Sequence, residues 1–177
     1  MIIKSFNGIK PKIHPEAWIA ENAVIIGDVE IGAGTSIWYN TVIRGDLNQI
    51  RIAENVNIQD GAILHVESDG GPCIIGNRVT VGHQSIVHGC IVGDDALIGM
   101  GATILSWSKI GSGALVAAGA LIREHAQIPD RTLWAGVPAK QRAEIDDEMF
   151  QRMQSGWKHY VELSEQYRRE DVTLSDH

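Results

Sequence analysis

Aliphatic residues return along this chain at every sixth position. From Ile19 they fall at Ile25, Ile31, Ile37 and Ile43. The register resumes at Ile52, Ile58 and Leu64, again at Ile75, Val81 and Val87, and then runs unbroken from Val92 through Ile98, Ile104, Ile110, Val116 and Ile122 to Ile128. Eighteen hexads therefore open with Ile, Leu or Val. They are interrupted by a three-residue slip before Ile52, a five-residue insertion (GGPCI) before Ile75, and a hexad at Val87 that is one residue short. The fifth position is mostly small, as in Ala96, Ala102, Ser108, Ala114 and Ala120, and the bulky exceptions, Leu47 and Ile91, adjoin breaks. A period of six matches neither the helical repeat nor the twofold alternation of an ordinary strand. It predicts a solenoid of short parallel strands in which one aliphatic and one small residue of each hexad point inward.

This pattern resembles the hexapeptide repeat of left-handed parallel β-helices, all-β solenoids with three hexads to a triangular coil. The handedness is implied by the resemblance and is an exception to the right-handed crossover rule. Eighteen hexads give about six triangular coils over residues 19–136, so residues 1–137 are expected to form the β-helix with a short lead-in. Residues 138–177 change character: Ile145, Met149, Met153, Trp157 and Val161 recur at i+4 in a charged background, which predicts a C-terminal α-helix packed alongside the solenoid. Gly156 is a candidate kink in it.

Composition narrows the function. Nineteen glycines against 6% aromatics fit a turn-rich, backbone-dominated fold. A net charge of −7 argues against nucleic acid or an anionic membrane as partner. Cys73 and Cys90 form no CxxC motif and no disulfide framework, so they read as free thiols in a reducing compartment. With no apolar leader in MIIKSFNGIK and no transmembrane-length window, the expected location is cytoplasmic.

The coil register turns three histidines into geometry. His65 and His88 are each the second residue of the third hexad in successive coils, so they stack in one outward column about 4.8 Å apart. Two imidazoles so placed can share a metal at about 2.0–2.1 Å. His83 is the third residue of a second hexad and lies on a different face. A homotrimer of triangular prisms would bring the His83 face of one protomer to the His65/His88 face of its neighbour, in a heterologous ring with metal shared between adjacent subunits. Three histidines with an open fourth position are a catalytic arrangement. Arg44 falls directly below His65, Asp46 follows two residues on, and Asp60 shares the column of His83. An Arg44 of one protomer would then approach Asp60 of the next.

The motifs RGD (44–46), NIQDGAILH (57–65) and GHQSIVHGC (82–90) resemble those of the γ-class carbonic anhydrase family, over most of the chain. That resemblance implies His65, His83 and His88 as ligands of Zn2+, with Fe2+ or Co2+ able to occupy the same set. It also implies Arg44 and Asp60 as an interfacial pair, Asp46 and Asn57 in the surrounding polar network, and Gln59 as the group orienting metal-bound water. The implied activity is reversible hydration of CO2 to bicarbonate. The metal lowers the pKa of bound water from about 15.7 toward about 7, so that hydroxide attacks CO2.

Two departures from the family pattern stand out. Leu47 follows Asp46 where active members carry a glutamate, and the segment VESDGGPC after His65 replaces a longer acidic loop that bears a proton-shuttling carboxylate. Glu67 is a candidate substitute for proton transfer, and Tyr160, on the terminal helix, a candidate site-lining group. Two alternatives stay open: a non-catalytic metal-binding or assembly protein of the same fold, and a hexapeptide-repeat acyltransferase or thioesterase.

Overall fold

The hexad aliphatics form the interior of the molecule. In the computed structural model, which describes residues 1–175 with side chains through Glu170, the residues from Ile25 to Ile128 that open hexads are all buried, and Ile19 is partly covered near one end. Each such side chain contributes about 1.5–3 kcal/mol on leaving water. Ala96, Ala102, Ser108, Ala114 and Ala120 are buried between them, where a larger side chain would overpack the prism.

Short parallel strands stack on three faces. The first face carries Ile2–Lys4, the leading parts of Val24–Ile31 and Val42–Ile52, then Ile63–His65, Ile86–His88, Thr103–Ile104 and Leu121–Ile122. The second carries Lys12–Ile13, the trailing parts of the same two long strands, then Cys73–Ile75, Ile91–Val92, Lys109–Ile110 and Gln127–Ile128. The third runs from Trp18–Ile19 through Ser36–Ile37, Asn57–Ile58, Thr80–Val81, Leu97–Ile98 and Leu115–Val116 to Thr132–Gly136. Among the described residues this makes about seven turns of a left-handed β-helix, one more than the hexads give. The added turn is N-terminal, where Ile2–Lys4 pairs with Val24–Ile26 and Lys12–Ile13 with Glu30–Ile31. It escapes the hexad period because the chain between its strands makes an excursion closed by a Phe6–Ile9 bridge.

All three breaks of the period fall at one corner, where the first face passes to the second. The step between inward residues there is nine from Ile43 to Ile52, eleven from Leu64 to Ile75 and five from Val87 to Val92. The first break is absorbed within Val42–Ile52, and Leu47 rides that excursion, 56% exposed. The second closes through a Glu67–Gly71 bridge. The third turns Ile91 outward and leaves Cys90 buried. Both bulky exceptions at the fifth position thus leave the interior.

Beyond Gly136 the chain folds back, and Ala139–Glu144 pairs antiparallel with Thr132–Gly136, covering the end of the third face. The helix begins only at Asp147 and continues to Ser175, so the first residues of the expected helical segment are extended. Asp146 caps it, accepting the Met149 N–H at 2.8 Å. The helix is unbroken at Gly156, which lies over Thr80 of the third face. Its contact face drifts from an i+4 stripe, as a 3.6-residue turn requires, to Tyr160, Leu163 and Tyr167. These residues pack on Trp18 and Trp38, with Tyr160 edge-on to Trp38 at 5.2 Å and Tyr167 at 5.3 Å from Trp18. Among the described residues no helix is long and apolar enough to cross a membrane.

Candidate metal centre

His65 ends the strand Ile63–His65 and His88 ends Ile86–His88, and the parallel ladder sets them side by side in register. Their imidazoles point out of the broken corner, ring centroids 5.1 Å apart, with Nδ1 of His65 3.1 Å from Nε2 of His88. Two ligands about 2.0–2.1 Å from one ion at a tetrahedral angle would lie about 3.3 Å apart, so the pair fits a shared divalent cation. Ladder register also puts Arg44 next below His65.

Acidic groups hold both rings. Asp46 Oδ1 accepts from His65 Nε2 at 3.0 Å, and its other oxygen accepts from Arg44 Nη1 at 2.5 Å. Burial alone would raise the Asp46 pKa, but the hydrogen bonds from Arg44 and His65, with the charge of Arg44, outweigh it and hold the carboxyl below its ordinary range. His88 Nδ1 lies 2.8 Å from Ser106 Oγ, which donates to Glu67 Oε2 at 3.1 Å. Burial, then the neighbouring His65, lower the pKa of His88 against the opposing pull of Glu67.

His83 lies at another corner. It follows Thr80–Val81 on the third face, in a turn whose next residue, Gln84, is left-handed at φ 58°. Its Nδ1 meets Asp60 Oδ2 at 2.9 Å, one coil below. Gln59, buried, accepts the His83 backbone N–H at 3.2 Å and donates to Asn57 Oδ1 at 3.0 Å, while Asn57 donates to Thr80 Oγ1 at 2.9 Å. This amide chain ties down the turn that presents His83. Tyr160 stands near it, its pKa raised by burial and by the negative charge of Asp60.

The sequence-derived residues thus fall into two clusters within the chain. Arg44, Asp46, His65, Glu67 and His88 gather at the corner of the first and second faces. Asn57, Gln59, Asp60 and His83 gather at the corner of the third and first, beside Tyr160. No three His, Cys, Asp or Glu groups converge to hold a metal within the described residues of one chain. Inside the chain, Arg44 pairs with Asp46 and Asp60 with His83. Ser106 was not singled out by the hexad pattern, because a serine at a hexad's third position carries no signal of its own. The clustering of register breaks at its corner is the signal that leads to it.

A model of the bacterial transferase hexapeptide repeat (six repeats) matches residues 10–45 and 89–124. The chain is 46% identical over 167 residues to a carbonic anhydrase of Geobacillus kaustophilus, covering 94% of this chain and 91% of that one. It is 40% identical over 166 residues to the mitochondrial gamma carbonic anhydrase 2 of Arabidopsis thaliana, covering 91% of this chain; it spans 60% of that relative's length. Among solved structures, a Bacillus cereus protein described as a candidate acetyltransferase superposes with a TM-score of 0.92 at 43% identity, over 95% of this chain and 97% of that one.

Proposed function

The chain belongs to the γ-class carbonic anhydrase family of hexapeptide-repeat β-helices, and from that premise we propose that it hydrates CO2 reversibly to bicarbonate at metal sites shared between the subunits of a cytoplasmic homotrimer. The observation that carries this reading is the division of the histidines. His65 and His88 turn two ring nitrogens toward one point, 3.1 Å apart, while His83 sits on a separate corner with Asp60 behind it. Half a site at each of two corners is completed by a neighbour in a closed ring.

A divalent cation, with Zn2+ preferred and Fe2+ or Co2+ compatible with the same imidazoles, supplies Lewis acidity that makes water nucleophilic near neutral pH. The chain's own groups do the rest. Asp46 and Asp60 hold His65 at Nε2 and His83 at Nδ1, which would leave the other ring nitrogen of each free to bind the cation. Gln59 and Asn57 hold the His83 turn, Gln59 accepting the His83 N–H and donating to Asn57. Arg44, anchored to Asp46, is 43% exposed, which leaves its guanidinium open to a further acidic partner, in this reading Asp60 of a neighbouring subunit. Free, buried Cys73 and Cys90 fit a reducing compartment.

The decisive measurement is metal content of the purified protein together with stopped-flow CO2 hydration, before and after loading with zinc, iron(II) or cobalt(II). The expected result is bound metal and metal-dependent hydration, both lost in His83→Ala. Leu47, exposed on its excursion and without a carboxylate, favours one second reading, a non-catalytic metal-binding scaffold. Metal bound with no hydration at any pH would decide for it.

A further inference from the structure

We infer that Ser106 is a positioning residue for His88: with Glu67 behind it, it fixes the imidazole proton on Nδ1 and leaves Nε2, the nitrogen facing His65, as a bare lone pair. A serine hydroxyl has one proton to give, and an ionised carboxylate can only accept. The Ser106 hydroxyl donates that proton to Glu67 Oε2 at 3.1 Å. Toward His88 Nδ1, 2.8 Å away, Ser106 can therefore only accept, and Nδ1 must carry the hydrogen. Glu67 cannot do this directly, because its Oε2 lies 3.9 Å from that nitrogen, beyond hydrogen-bond range.

The relay is built into the stacking. Glu67 follows His65 in one turn, Ser106 stands two turns above, and Gly89 lies between them. A Cβ on Gly89 would come within 3.3 Å of both Glu67 Cβ and Ser106 Oγ, so the bare glycine keeps open the gap across which they meet. Ser106 is buried, which keeps water from competing for its proton. Among the three histidines, His65 and His83 meet carboxylates directly, whereas His88 reaches one through a hydroxyl. Glu67 is thereby committed to holding a ligand and is withdrawn from carrying protons to solvent.

This inference rests on the shared-metal reading, but part of its test does not need the metal. In the full-length, metal-stripped protein labelled with 15N in its histidine rings, long-range 1H–15N correlation reads each tautomer, and a His88→Ala spectrum identifies the His88 signals. His88 should be protonated at Nδ1 in the parent and should shift to the other tautomer, or to a mixture, in Ser106→Ala. Ser106→Thr, which keeps the hydroxyl, should restore the parent pattern. Competition with a chromophoric zinc chelator should show about 10- to 100-fold weaker binding in Ser106→Ala and near-parent affinity in Ser106→Thr. An unchanged tautomer and unchanged affinity in Ser106→Ala overturns the inference and leaves the proposed function standing. A parent with the expected tautomer that binds no metal supports the assignment while sinking that function. Should Ser106→Ala fail to fold, an Nε2-protonated His88 in the parent is by itself sufficient to overturn the inference.

Discussion

At the scale of single residues, the site is a set of imidazoles each backed by an acid. Asp60 illustrates how a sequence register locates a residue without giving its partner. Its column put it beneath His83, and the structure brings the two to 2.9 Å, a contact that the anticipated role across an interface did not include. Asp60→Asn separates the two roles. Loss of the carboxylate behind His83 should weaken zinc binding about 10- to 100-fold with the assembly intact, as read by chelator competition and sedimentation. Unchanged affinity with a dissociated assembly would assign Asp60 to the subunit contact instead. Arg44 and His65 were legible as neighbours in the register, whereas the Ser106–Glu67 relay was not, because it depends on side chains crossing two turns above a glycine.

At the scale of the hexad, the position after the inward aliphatic explains where chemistry can stand. On two corners it is often glycine, and the reason is contact: a Cβ on Gly99 would lie 2.4 Å from Ala118 N, and one on Gly82 would lie 2.7 Å from Met100 N. At the corner of the first and second faces the same position holds Arg44, His65 and His88, so that corner has room for long side chains directed outward. Gly99→Ala should accordingly cost about 1–3 kcal/mol through overpacking, measured by denaturant melting, with the histidine pair undisturbed. A neutral substitution would mean that the turns can part more easily than their hydrogen bonds suggest. The period of six was fully legible because every rung repeats the same burial. The strand Ala139–Glu144 was not, because its charged residues carry no inward alternation and its place is set by pairing with Thr132–Gly136.

At the scale of the whole molecule, two half-sites on one prism call for a partner, and subunit mixing tests this. His83→Ala and His88→Ala chains each lack one half of every site. Co-expressed and co-purified, they should regain metal at one interface of each mixed trimer, where an intact His65/His88 pair meets an intact His83, while neither variant alone binds. No recovery in verified mixed trimers would refute the shared geometry. The solenoid itself could be read from the sequence down to the stacking of His65 on His88, but its first turn could not, because the Phe6–Ile9 excursion breaks the period.

The position of the histidines along the stack has a further consequence. Turns that draw most of their contacts from immediate neighbours open from the ends inward, like a column losing its outermost plates. His65 lies in the fourth of about seven turns, and His83 and His88 belong to the fifth. Fraying at either end therefore has to consume intact turns before it reaches any of the three histidines, and the ends of the stack are kept away from the proposed metal site.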